Sequence, residues 1–313
     1  MSSIVSLRDV HVHFGASRAV DGVSVDVKPG EVLALVGESG SGKTTLIRAV
    51  QGLQPVTAGE IIYTSAAGAT AGPGRGNRGV QMIFQDPTGA LNPRQTIYEI
   101  VAEGLRIRKE SQNEVERVGR ALSRAGLRPP ERFFPMYPHQ ISGGQRQRVV
   151  IAGAMVMEPD LLLADEPVAS LDASIRGEIL ALMLELVGDT GLSILVVTHD
   201  LGLAWNIADR VAVMYLGRIV ELGPTEQILG EPRHPYTRAL LSVVPETTRM
   251  EQQILVGEIP DSRRVPVACR FHPRCPLLQS GMLPAEVASR CTTEDPGPVD
   301  RNAGSAAACW AVT

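Results

Sequence analysis

A chain of 313 residues, 44% of them hydrophobic, can bury a substantial core and is long enough for about two compact units. Its net charge of −4 and pI near 5.9 leave no polyanion-binding footprint, which argues against nucleic acid as the main partner. Apolar runs such as Leu161 to Ala164 are strand-length and far short of a membrane span. Met1-Ser2-Ser3-Ile4 does not open a secretory signal, so a soluble intracellular chain that can still dock on a membrane complex is expected.

Val10, Val12 and Phe14 alternate with His11 and His13, and Val23, Val25 and Val27 repeat the pattern, as half-buried strands do. Lys28-Pro29-Gly30-Glu31 has Pro and Gly where a type II turn needs them. Val32 to Val36 is apolar throughout, the mark of a strand buried on both faces. It feeds Gly37-Glu38-Ser39-Gly40-Ser41-Gly42-Lys43-Thr44, followed by Thr45, a match to G-x-x-x-x-G-K-[ST]. Glycines let successive N–H groups wrap phosphates, Lys43 supplies a point charge, Thr44 offers a hydroxyl to Mg²⁺, and the next helix adds its dipole. A nucleotide site follows from this sequence of strand, loop and helix.

Residues 65–79 are small and Gly-rich and read as a loop. Val80 to Phe84 is a short strand ending at Gln85, whose amide oxygen can ligate Mg²⁺ or a water. From Asn92 to about Tyr137 two amphipathic faces appear: Ile97, Ile100, Val101 and Leu105, then Val115, Val118, Leu122 and Ala125. They suggest a helical insertion, about 88–155, in an α/β core. The insertion closes on Ile141-Ser142-Gly143-Gly144-Gln145. There two glycines behind a serine leave N–H groups open at a helix start, either a plain Ser cap or an anion site.

Leu161 to Ala164 is a second buried strand, ending in Asp165 and Glu166. Paired carboxylates at a strand end suit Mg²⁺ coordination (Asp165) and polarisation of an attacking water (Glu166). Asp172, after Ser170 and Leu171, is placed to cap a helix whose stripe of Ile175, Ile179, Leu182, Met183 and Leu186 reads as packing. Ser193 to Val197 is a further buried strand, and His199 just beyond its end is placed to bond a γ-phosphate or the attacking water. Val211 to Tyr215 and Arg218 to Leu222 form a closing hairpin around Leu216-Gly217. All four cysteines, Cys269, Cys275, Cys291 and Cys309, fall in the last 45 residues. In a chain without a secretory signal that favours a metal site over disulfides.

In this order, the motifs from Phe14 to about Leu222 resemble the ATP-binding subunit of an ABC transporter. The resemblance implies a P-loop NTPase core with a β-subdomain and the helical insertion over residues 1–222, and a C-terminal extension over 223–313. It implies that Phe14 stacks on adenine, Gly37 to Thr44 is the Walker A loop, and Gln85 is the Q-loop glutamine. Ile141 to Gln145 is similar to the signature motif, with Ile where Leu is commoner. Asp165 and Glu166 match Walker B and the catalytic carboxylate, Asp172 closes the D-loop, and His199 matches the switch histidine. The family further implies ATP and Mg²⁺ as cofactors, a second ATPase subunit in a head-to-tail heterodimer, and two transmembrane permease subunits. A substrate-binding protein outside the membrane is implied indirectly, and a peripheral location on the cytoplasmic face.

Tyr137-Pro138-His139-Gln140 before the signature resembles importers. Pro232 to Leu241, with Val244-Pro245, is similar to the C-terminal extension of the dipeptide/oligopeptide/nickel importer family, and the chain looks more like the second ATPase of such a pair. Dipeptides or oligopeptides are the expected cargo. Nickel, opines or sugars are the alternatives, followed by a non-transport ATPase of the same family. Four thiolates suit a [4Fe–4S] cluster or tetrahedral zinc; the gaps here are not paired C-x-x-C knuckles, and the family's tail implies iron–sulfur. His272 is read as structural.

Overall fold

The computed structural model describes residues 3–64, 70–71, 79–243, 253–300 and 304–312. Most of the Gly-rich loop at 65–79, and Val244-Pro245, lie outside the described residues. Eleven strands are described: β1 Val5–Phe14, β2 Ser17–Val27, β3 Val32–Val36, β4 Ala58–Thr64, β5 Thr70–Ala71, β6 Val80–Ile83, β7 Leu161–Asp165, β8 Ser193–Thr198, β9 Arg210–Tyr215, β10 Arg218–Pro224 and β11 Ala306–Ala307. They form a four-stranded antiparallel sheet, β2-β1-β4-β5, and a seven-stranded sheet, β11-β10-β9-β3-β8-β7-β6.

The centre of the larger sheet is parallel: β3 pairs with β8 and β9, β7 with β8 and with β6. Every residue of β3, β7 and β8 is buried, which is why these strands read as unbroken apolar runs instead of alternating ones. β3 serves two cores at once. Val32, Ala34 and Val36 join the helical side, while Leu33 and Leu35 join the side shared with β1 and β2. Parallel pairing also brings the carboxyl ends of β3, β7, β8 and β6 to one edge, where ligands sit in open α/β sheets.

Between β6 and β7 lie the helices Ile97–Ile107, Glu114–Arg124 and Gly143–Met155. Thr96 and Glu99 form a capping box that starts the first of them. Ile97, Val101, Leu105, Val118 and Leu122 are buried as the periodicity predicts, but Val115 is 62% exposed. It stands in the first turn of its helix, beside the exposed Glu116, and that end of the stripe faces water. Lys28–Glu31 is closed by the Glu31 N–H donating to the Lys28 carbonyl at 3.2 Å with Gly30 at φ 67°, as a type II turn requires.

The C-terminal part of the chain is stitched onto the sheet. β11 pairs with β10 through Glu221–Ala307 and Leu222–Ala306, and β10 itself runs to Pro224. The helix Pro235–Ser242 and Phe271 bury against Tyr215 of β9. Among the described residues no helix is long and apolar enough to cross a membrane.

Candidate nucleotide site

The loop after β3 is passed between two walls. A Cβ on Gly37 would lie 2.2 Å from the Met214 carbonyl oxygen and one on Gly42 2.1 Å from that of Ala19. Both glycines have positive φ, 153° and 106°, so only glycine fits in space and in conformation. Gly42 is also the N-cap of the helix Lys43–Gln51 and brings no side-chain hydrogen bond, so the first-turn N–H groups have no capping side chain and can take an anion. Lys43 Nζ, buried, donates to the carbonyls of Gly37 and Glu38, each at 2.9 Å. Burial pushes its ammonium below the usual lysine range, and the nearby charges of Glu166, Asp165 and Glu38 pull it back. Lys43→Ala should therefore weaken ATP binding by about 10–100-fold, the scale of a lost charge-assisted bond to phosphate. Equilibrium binding of Mg-ATP to the full-length chain checks this.

Thr44 Oγ1 donates to Asp165 Oδ1 at 3.3 Å, joining the end of the P-loop to the end of β7. Burial raises the Asp165 carboxyl above the usual range; the Thr44 bond opposes this and the Glu166 charge adds to it. A divalent cation beside these two oxygens removes that penalty. Glu166 has φ 47°, an uncommon left-handed conformation outside glycine, with its N–H donating to the Val197 carbonyl at 2.9 Å. From there its carboxylate meets two partners. Gln85 Nε2 donates to Oε2 at 2.9 Å, and His199 Nδ1 lies 2.9 Å from Oε1. A cleft of about 60 Å³ beside Glu166, Thr198, His199 and Asp200 has room for an ordered water. Three strand ends thus bring Gln85, Glu166 and His199 to one point, next to Thr44 and Asp165.

Other expected residues stay apart from this point. Ser142 caps the helix Gly143–Met155, its Oγ accepting from Gln145 N–H at 3.2 Å while Gln145 Oε1 accepts from Ser142 N–H at 3.0 Å. Among the described residues no hydrogen bond or ion pair joins Ser142, Gly143, Gly144 or Gln145 to the P-loop. Phe14, at the tip of the β1–β2 hairpin, is 51% exposed. Asp172 occupies the N-cap position of the helix Ala173–Thr190 but makes no side-chain cap bond, contrary to the capping expected of it; its carboxylate is exposed.

The four cysteines are free and buried, and they come from separate stretches of chain. Burial pushes the Cys269 thiol up to about 12, with the charges of Cys309, Cys291 and Cys275 adding to it, and pushes the Cys309 thiol up to about 11. Among the described residues the one set of three ligand atoms all within 4.8 Å of each other is His11, His13 and Asp21. No three of the thiol sulfurs lie within 4.8 Å of one another. His272 Nδ1 lies 2.8 Å from the Cys269 carbonyl oxygen, a structural use of that side chain.

Sequence reading missed two long-range ion pairs, Glu38–Arg274 and Asp21–Arg270, because variable motif positions and lone arginines carry no local signal.

A parallel sheet ending in a P-loop, with a Thr–Asp pair and a Gln–Glu–His group at the same edge, defines a P-loop nucleotide hydrolase of the ATP-binding-cassette class. Residues 20–169 match the family described as ABC transporter, and residues 220–281 match the oligopeptide/dipeptide transporter, C-terminal region. The dipeptide transport ATP-binding protein DppF of Haemophilus influenzae is 42% identical over 82% of this chain and 81% of its own length. The oligopeptide transport ATP-binding protein OppF of Escherichia coli is 42% identical over 88% of this chain and 89% of its own. AppF of Bacillus subtilis, also an oligopeptide transport ATP-binding protein, is 40% identical over 88% and 90%. Among solved structures, cbiO1 of Clostridium perfringens superposes with a TM-score of 0.65 at 29% identity, covering 74% of this chain and 92% of that one. A dimeric ATP-binding cassette in a post-hydrolysis state, bound to ADP and Pi, gives 0.60 at 28% identity, covering 71% and 98%. The chain belongs to the ABC transporter family, as an ATP-hydrolysing transporter subunit carrying the oligopeptide/dipeptide-type C-terminal region.

Proposed function

We propose that this chain energises the import of dipeptides or oligopeptides from the cytoplasmic face of the membrane. Residues 1–222 act as the ATPase domain and 223–313 as its extension. ATP lies on Gly37 to Thr45 with Phe14 against the adenine, and Thr44, Asp165 and Gln85 hold Mg²⁺. Glu166 polarises the attacking water, and His199 bonds the γ-phosphate or that water. A second ATPase subunit completes the pair, with Ser142, Gly143, Gly144, Gln145 and Asp172 at the shared interface. Two permease subunits carry the movement, and a substrate-binding protein outside the membrane delivers the cargo.

The observation that carries the ATPase assignment is the convergence of Gln85 and His199 on Glu166. The cargo rests on the match of residues 220–281 and on the names of the relatives. Uptake of a labelled tripeptide by cells lacking the gene should fall to background and return on complementation. Unchanged tripeptide uptake with lost uptake of nickel, an opine or a sugar would move the cargo to one of those.

Cys269, Cys275, Cys291 and Cys309 offer four buried thiols, a donor set that suits a [4Fe–4S] cluster. Bound there, such a cluster supplies covalent ties among segments too short to build a core of their own. An anaerobic preparation should be brown with about four iron atoms per chain. Stoichiometric zinc without iron replaces the cluster with a zinc site.

A further inference from the structure

The Walker A pattern constrains the glycines, Lys43 and Thr44 but leaves the side chain at position 38 open. Here it is used. The Glu38 carboxylate accepts two bonds from Arg274, Nη1 to Oε2 at 2.9 Å and Nη2 to Oε1 at 3.2 Å, across 236 residues of sequence. The Glu38 backbone N–H donates to Tyr236 Oη at 2.8 Å. Arg274 is almost wholly buried and Tyr236 fully so. The Tyr236 ring is wedged against Tyr215 at 4.7 Å and Phe271 at 5.4 Å between centroids, and so has one position from which to meet the loop.

A second arm reaches the wall of the loop. Arg270 is buried, donates through Nη1 to the Leu216 carbonyl at 2.6 Å, and pairs through Nη2 with the Asp21 carboxylate. Although burial alone pushes the Asp21 carboxyl up, Arg270, with His11 and His13 beside it, holds it well below the usual range. Asp21 and Leu216 belong to the two segments between which the P-loop passes. The Asp21 N–H donates to the Gly217 carbonyl at 2.9 Å, and the Gly217 N–H donates to the Ser41 carbonyl, also at 2.9 Å. One short stretch, 270–274, therefore grips both the phosphate loop and its wall.

We propose that Arg274, seconded by Arg270 and Tyr236, is a positioning residue for nucleotide binding: the C-terminal extension sets the P-loop in its phosphate-accepting shape through Glu38. A buried ion pair adds little net stability compared with an apolar pair of equal size; what a bidentate pair fixes is geometry. A loop whose N–H groups are already aimed spends less of its binding energy on ordering when the triphosphate arrives.

The test is Mg-ATP binding to the full-length chain, with KM and kcat measured in the assembled importer and the melting temperature recorded beside them. Arg274→Leu should raise the ATP dissociation constant and KM by about tenfold, on the scale of one charge-assisted bond, with kcat changed less than about twofold. Arg274→Lys, which keeps a cation near Glu38, should recover part of the loss. Glu38→Gln attacks the same pair from the loop side and serves if Arg274→Leu does not fold; it should raise the dissociation constant similarly. The proposal is overturned if Arg274→Leu or Glu38→Gln lowers the melting temperature while the ATP dissociation constant stays within about twofold, or if Arg274→Lys binds ATP no better than Arg274→Leu.

Discussion

Glu166→Gln should keep ATP binding and lose turnover by about 10²–10⁴-fold, the contribution of a positioned general base. The amide is the same size and can still accept from Gln85 Nε2, now 2.9 Å from Oε2, so the site keeps its shape. What it loses is the capacity to draw a proton from water. Glu166 makes no hydrogen bond to Lys43 or Thr44, whose partners are the loop carbonyls, Ser41 and Asp165, so those bonds are untouched, although the buried Lys43 ammonium loses one of the charges that hold it up. Removing its charge also relieves Asp165, whose carboxyl Glu166 helps push up, and leaves it a better Mg²⁺ ligand. Phosphate release at saturating Mg-ATP in the assembled importer, set against equilibrium ATP binding, reads the two effects separately. Full activity in this variant would remove Glu166 from the role of base.

What the sequence disclosed depended on how far each feature's physical cause extends along the chain. β3, β7 and β8 are legible because burial on both faces of a parallel sheet demands an unbroken apolar run, a local property. The glycines of the P-loop are legible for the same reason: each answers to a clash within one short motif. β1 was visible only from Val10 onward. Its register shifts between Leu7 and Val10 where Asp9 has φ 47°, and the alternation of buried and exposed residues breaks there. Arg274 and Arg270 were illegible because their partners lie 236 and 249 residues away, and an arginine that will be buried looks in sequence like one that will not. The roles of Asp172 and Phe14 are a different case. Both are exposed in this chain, and the contacts proposed for them are to the nucleotide and to the second subunit.

Ser142→Arg divides the two halves of the site most sharply. ATP binding by the isolated full-length chain should be unchanged, while hydrolysis by the assembled pair falls by about 10²-fold or more, as when a preorganised anion-stabilising group is removed. The chain should still fold. Losing the cap costs about 1 kcal/mol and a cation at a helix N-terminus up to about as much again, both small beside the buried core that holds this helix. Ser142 and Gln145 cap each other and nothing else, and around Gly143 no heavy atom lies within 4 Å of where a Cβ would stand. An open helix N-terminus attracts anions, yet this one has no bond to the chain's own phosphate loop. Under the proposed pairing, the anion it serves is the γ-phosphate held by another subunit. An arginine side chain projecting from position 142 occupies the space that a partner's nucleotide needs and blocks closure of the pair, while the P-loop at Gly37 to Thr44 is left intact. Loss of ATP binding by the isolated chain as well would mean that the helix serves its own P-loop, and the in-trans reading would fail.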